Sequence, residues 1–222
     1  MTKKSKLFAW DFHGTLEQGT EVGFCDILRK LAHQINHKTK IELEEVRALY
    51  GQSVLDYLRH FFPNLTNEEL VKLRMKLRTT QNRKHILKFI KPAPYARQVL
   101  QKIIGSGHTN ILVSTSYQKH IERFLKAVKM IEFFKAIFGV DRHILDENFD
   151  IAHEKAKVIK KYAKEHNFSN PQIIVIGDRP GEINAGLQIG AKTYQYISPN
   201  FPDVKTHAKY KITDLREILE EI

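Results

Sequence analysis

The chain has 222 residues, 42% of them hydrophobic and 27% charged, enough for one sizeable globular domain or a domain carrying a small insert, with no repeat or low-complexity segment. A single cysteine, Cys25, excludes an internal disulfide and fits a reducing interior. No stretch approaches the ~20 apolar residues that a membrane span needs, so a cytoplasmic protein with no membrane partner is expected.

Lys and Arg number 36 against 25 Asp and Glu, for a formal charge of +11. That surplus attracts phosphorylated small molecules, nucleic acid or acidic surfaces without choosing among them.

The N-terminal Met1–Lys6 leads into the apolar run Leu7–Trp10, which Asp11 cuts short. The run is too brief for the apolar region of a signal peptide and reads as a first strand. From about Val22 to Lys91 no convincing strand follows. Phe24, Ile27, Leu28, Leu31 and Ile35 mark one helix, 43–50 a second, and a third begins after Gly51 and Ser53. Thr66, three residues before Glu69, has the form of a capping box. This stretch holds fourteen Lys or Arg against seven Asp or Glu, and from Lys72 to Lys91 there is no acid at all. It is either an ordinary solvated face or a surface for a polyanion. Phe89 and Tyr95 are the only aromatics near the basic run, so nucleic acid is the less favoured partner. Cys25 falls within the first apolar pattern and is expected in a core.

After Pro92 and Pro94 the pattern alternates. Strands are expected at Ile111–Val113, Ala136–Phe138, Ile173–Ile176 and Thr193–Ile197. Helices are expected through Ile121–Val128 and Val158–Ala163, and a last one, capped by Thr213 or Asp214, carries Leu215, Ile218, Leu219 and Ile222. The result is an α/β fold: a Rossmann-like parallel sheet flanked by helices, formed by 1–21 and 92–222, with a helical subdomain, 22–91, inserted after the first strand. Ligands of such sheets bind beyond the carboxyl ends of the strands.

Three strand ends carry chemistry. Asp11, followed by Phe12-His13-Gly14-Thr15-Leu16, is a carboxylate at a buried strand end that must be solvated, paired or bound to metal, or else a turn cap. Ser114, Thr115 and Ser116 end a second run in hydroxyls and suit a phosphate cradle or plain helix capping. Gly177-Asp178, with Glu182 four residues on, offers oxygen ligands for a hard cation, or a capped turn. Lys155 opens a helical pattern before that strand. A parallel sheet would bring these segments to one edge.

In order and spacing the four segments resemble the motifs of the haloacid dehalogenase-like hydrolases. The first looks like the nucleophile motif D-x-D-G-T-L, Ser114 matches the hydroxyl of the second, Lys155 (better than Lys157) the lysine, and Gly177-Asp178-x-x-x-Glu182 the acidic motif. A helical cap after the first motif likens the chain to the phosphoglycolate phosphatase and β-phosphoglucomutase branch. The resemblance implies a phosphatase acting on a small phosphorylated substrate. Asp11 would form an aspartyl-phosphate, and Lys155 would neutralise charge. Ser114 and Thr115 would hold the phosphoryl group. Mg²⁺ would sit among Asp11, the main-chain carbonyl of His13 and Asp178, with Glu182 orienting its waters.

His13 departs from the pattern, because it stands where the family's phosphatases carry an acid–base Asp. Three outcomes follow: His13 substitutes as acid and base, only substrates with good leaving groups react, or the site binds phosphate or metal without turnover as a regulatory protein. Dehalogenating relatives have apolar, metal-free sites, which the Asp178–Glu182 pair argues against. No substrate or oligomeric state can be read from the residues.

Overall fold

The structure is a computed structural model and describes residues 4–77, 80–140 and 149–222; Arg78 of the basic run and Met1–Lys3 lie outside the described residues. In chain order the elements are β1 (Leu7–Trp10), β2 (Glu17–Gln18), α1 (Thr20–Gln34), α2 (Leu43–Ala48), α3 (Val54–Phe61), α4 (Asn67–Leu77), α5 (Thr80–Ile86) and β3 (Lys91–Pro92). Then come α6 (Ala96–Gly105), β4 (Thr109–Ser114), α7 (Gln118–Ala127), β5 (Ala136–Gly139), α8 (Ile151–Glu165), β6 (Ile173–Gly177), α9 (Pro180–Gln188), β7 (Lys192–Tyr196) and β8 (Tyr210–Ile212).

Six strands form one sheet in the order β5-β4-β1-β6-β7-β8, every pairing parallel. β1 is flanked by strands that arrive about a hundred residues later on one side and still later on the other. Trp10 pairs with Leu112 of β4 and Ile176 of β6, so the chain reverses its order of addition around β1. That reversal leaves a crevice at the carboxyl ends, the usual ligand position in open α/β sheets.

β1 is apolar throughout because both faces are covered; none of its four residues is more than 1% exposed. Leu7 and Ala9 pack with Ile111, Val113, Val175 and, from α8 and α9, Ala156, Ile159 and Ala185. On Trp10 the indole N–H donates to Asn110 Oδ1 at 2.9 Å, and the Asn110 amide donates to the Leu100 carbonyl at 3.2 Å. Asn110 is fully buried, so these bonds cancel a desolvation cost that would otherwise exclude it from a core strand.

The chain divides into two compact units, one of Met1–Glu17, Pro92–Pro199 and Asp203–Ile222, the other of Gln18–Lys91 and Asn200–Pro202. The second unit begins at Gln18, four residues before the helical stretch read from sequence, and takes in 200–202, where Phe201 stacks on Tyr50 with ring centroids 3.7 Å apart. Its core gathers Cys25, Leu28, Leu31, Val46, Leu58, Phe62 and Leu70. Ser53 caps α3, and Glu69 N donates to Thr66 Oγ1 while Thr66 N donates to Glu69 Oε2, the expected capping box.

Three features differ from the sequence reading. β2 and β3, two residues each, form a separate small sheet, and β8 extends the main one. The terminal segment Leu215–Glu221 is a 3₁₀ helix, not an α-helix, although Asp214 caps it by accepting from Arg216 N. Among the described residues, no helix is long and apolar enough to cross a membrane.

Candidate active site

β1 delivers Asp11 one residue past its end. The Asp11 N–H still donates to the Ile176 carbonyl at 2.9 Å, which fixes the backbone, while the carboxylate leaves the sheet. The chain then folds into a tight turn in which the Phe12 carbonyl accepts from the N–H groups of Thr15, Leu16 and Glu17. Gly14 has φ 76°, a left-handed conformation that costs a glycine little.

Lys155 reaches Asp11 from α8. Asp150 caps this helix by accepting from His153 N, and its buried stripe is Ala152, Lys155, Ala156, Ile159, Tyr162 and Ala163. Lys155 therefore occupies a core-facing position and is 1% exposed. Its ammonium donates to Asp11 Oδ1 at 2.8 Å and also to Glu182 Oε1. By contrast, Lys157 is exposed and pairs with Glu154 at 3.8 Å. Burial disfavours the Lys155 ammonium, but the Asp11 and Glu182 carboxylates outweigh it and hold its pKa above the ordinary lysine value.

β6 delivers Asp178. Thr15 Oγ1, fully buried, donates to Asp178 Oδ1 at 3.3 Å and so ties the first turn to the third. Glu182 comes from the first turn of α9 and lies against Gly177, where a Cβ would stand 2.5 Å from the Glu182 Cβ. Only glycine at 177 lets α9 bring Glu182 to the lysine.

The cluster is short of positive charge. Desolvation pushes the Asp11 carboxyl up to about 6, with Glu182 adding repulsion and Lys155 opposing both. Desolvation and the Asp11 and Glu182 charges raise Asp178 well above its ordinary range, against the pull of Arg179. Among the described residues, Asp178 Oδ2 has an ion-pair contact of 3.2 Å with Arg179 Nε but no hydrogen bond, and Glu182 Oε2 has no hydrogen-bond partner. Among the described residues no three His, Cys, Asp or Glu side chains converge as a metal cluster. Two carboxylates and a main-chain carbonyl nevertheless match the sparse protein ligation of Mg²⁺, and the mutual repulsion of Asp11 and Asp178 is what a hard cation relieves. A cavity of about 10 Å³, bordered by Asp11, Lys155, Glu182 and apolar residues such as Ala9 and Val113, has room for about one water, so a larger ligand cannot reach Asp11 through it.

β4 delivers Ser114, 1% exposed, whose Oγ accepts from Ser116 N at 3.2 Å. Thr115 lies half-buried in the bend between them. Ser116 Oγ in turn lies 3.1 Å from His13 Nε2, which links the second segment to the first. Asp11 and Lys155 thus bond directly, Asp178 is joined through Thr15, and Ser114 is joined to His13 through Ser116.

Glu17 was missed in the sequence, and Ser116 was read only as one of the hydroxyls ending its run. Glu17 lies 2.6 Å from His13 Nδ1 and is 2% exposed. In sequence it reads as a surface turn, because Gln18 and Gly19 follow it. Ser116 gave no signal beyond its hydroxyl. Burial lowers the His13 pKa, but Glu17 and Asp11 outweigh it and raise the net value above the ordinary imidazole range.

Solved structures share this fold over nearly their whole length. A haloacid dehalogenase-like family hydrolase from Streptococcus pneumoniae superposes with a TM-score of 0.77 at 15% identity, covering 97% of each chain. A protein described as a predicted phosphoglycolate phosphatase from Haemophilus somnus gives 0.76 at 15% identity over 99% of each. A hydrolase of the same family from Deinococcus radiodurans, with bound phosphate and sodium, gives 0.71 at 14% identity over 96% of this chain and 93% of its own. No curated protein matches the sequence. A family model, however, that of the haloacid dehalogenase-like hydrolases, matches residues 8–195. That span takes in all four segments of the site, and the chain belongs to the haloacid dehalogenase-like hydrolases.

Proposed function

We propose that the protein is a Mg²⁺-dependent phosphatase that hydrolyses a small phosphorylated metabolite through an aspartyl-phosphate on Asp11. The observation that carries this reading is the buried 2.8 Å bond between Lys155 Nζ and Asp11 Oδ1, at the sheet edge where β6 also ends in Asp178. A carboxylate so held is positioned and ionised near neutral pH, as an attacking group must be.

Asp11 attacks phosphorus, and the bond from phosphorus to the leaving oxygen breaks as His13 gives that oxygen a proton. Water then attacks the aspartyl-phosphate, returns a proton to His13 and frees inorganic phosphate and Asp11. The Ser114 hydroxyl and the Thr115 N–H hold phosphoryl oxygens, and Lys155, steadied by Glu182, neutralises charge on Asp11 and phosphate. Mg²⁺, held by Asp11, the His13 carbonyl and Asp178, supplies further neutralisation of the phosphoryl charge. The surplus of seven positive charges in residues 22–91 favours an anionic substrate.

The test is hydrolysis of an activated aryl phosphate, with Mg²⁺ or a chelator, by wild type, Asp11→Asn and His13→Asp. Activity that needs both Mg²⁺ and Asp11 is expected. Full activity in Asp11→Asn would sink the reading. An inactive wild type that gains turnover as His13→Asp would replace it with a phosphate-binding, non-catalytic role.

A further inference from the structure

Glu17 is a buried acid that the reaction above leaves without a task. It is 2% exposed, one oxygen lies 2.6 Å from His13 Nδ1, and among the described residues Oε2 makes no hydrogen bond. A carboxylate in that setting is costly unless its partner needs it. The turn that follows Asp11 brings positions 13 and 17 together, where they form an isolated β-bridge. The imidazole is also confined sideways: Phe12 and Phe124 meet it edge-on at 5.1 and 5.5 Å between ring centroids.

An ionised carboxylate only accepts hydrogen bonds, so the Nδ1 it faces carries the hydrogen. Nε2, 3.1 Å from Ser116 Oγ, is then the nitrogen left to exchange a proton. An aspartate at position 13 has no tautomer to fix and would repel Glu17.

We propose that Glu17 is the positioning residue of the acid–base step: it fixes His13 as the Nδ1–H tautomer and aims Nε2 at the leaving oxygen. The inference rests on the phosphatase reading with His13 as acid and base. In it Glu17 compensates for the histidine that replaces the usual aspartate.

The experiment follows an activated aryl phosphate through the first turnover in wild type, Glu17→Gln, His13→Asp and the double variant, all with Mg²⁺. Release of the aryl alcohol in the burst needs little acid help, whereas later turnovers need His13 to activate water. Glu17→Gln is expected to keep the burst and lose about 100-fold in steady turnover. In the His13→Asp background the same change should leave turnover equal or higher, because it removes a like charge. Equal losses in both backgrounds, or loss of burst and turnover together, would make Glu17 merely structural and overturn the inference while the phosphatase reading stands. No cost of Glu17→Gln in an active wild-type background overturns it as well. A wild type with neither burst nor turnover removes both readings. A readout independent of activity is the His13 tautomer, from proton–nitrogen correlation spectra of ¹⁵N-histidine protein in alkaline buffer. The Nδ1–H form is expected in wild type and a mixture in Glu17→Gln; an Nε2–H form in wild type overturns the inference.

Discussion

The sheet buries carboxylates at both its edges, and the two edges treat them in opposite ways. Asp11, at the carboxyl edge, and Glu221, near the amino edge, are each 7% exposed. Glu221 accepts from Lys192 Nζ at 2.6 Å, Tyr194 OH at 2.5 Å and Lys6 Nζ at 2.7 Å, so both oxygens are served. Burial alone would raise its pKa, but these donors outweigh burial and bring it down to about 2. Asp11 shares one lysine with Glu182 and faces Asp178, and its pKa goes up. Surface exposure is equal, but Asp11 is the more deeply desolvated and shares its one lysine, whereas three donors at Glu221 outweigh burial; depth and partners together set the opposite shifts. A saturated carboxylate fastens the fold, whereas an under-served cluster keeps binding capacity for something else.

The comparison breaks most sharply at Asp11. Asp11→Asn should lower hydrolysis at least about a thousandfold without destabilising the protein. The Asp11 carboxyl titrates above its ordinary 3.8 in the folded state, so its favourable contribution is full below that pH and is lost as pH rises through about 6. The variant should therefore melt no lower than wild type at neutral pH, which thermal unfolding across pH will check. Next is Lys155→Met, which leaves buried carboxylates unpaired; denaturant titration should show a loss of about 3 kcal/mol. Gly177→Ala should cost about 2 kcal/mol, since its methyl group collides with Glu182 and pushes α9 away, and turnover should fall with it.

The smallest effect belongs to the other edge. Glu221→Gln should cost about 1 kcal/mol at neutral pH, because the lysines are partly exposed and solvent weakens their pull. The Glu221 pKa lies below its ordinary 4.5 in the folded state, so its contribution is present above that pH and lost as pH falls through about 2. The gap between variant and wild type in unfolding experiments should close as the solution is acidified. A gap that persists would mean the three donors do not act through the charge.

What the sequence reveals follows from range. β1, β4 and β6 were legible as short apolar runs, since strands covered on both faces leave that pattern, and β5 and β7 as short β-type segments between helical patterns. Asp11, Ser114 and Asp178 were legible because each interrupts such a run at its end. Lys155 was singled out only by the family resemblance, since a lone lysine opening a helix is ordinarily exposed; its place in the buried stripe of Ala152, Ala156 and Ile159 appears only in the fold. The two-residue ladder of β2 and β3 was not legible, because it has no periodicity to display. Nor was Glu17, whose burial depends on how the turn after Asp11 closes. Glu221 was equally hidden among the charges of the terminal segment; its partners at 6, 192 and 194 are adjacent only in the folded sheet.

The central place of β1 has a consequence for the growing chain. Leu7–Trp10 leaves the ribosome early, yet its two neighbours end at Ser114 and Gly177. Until residue 177 has emerged, one edge of an apolar strand has no partner, and Asp11 and Lys155 have no common edge on which to meet. Helices α1–α4, whose contacts are short in sequence, can collapse on their own core well before that. Synthesis therefore passes through a long interval in which the helical unit is formed and the sheet is open, and in that interval the first strand is the segment most in need of protection from aggregation.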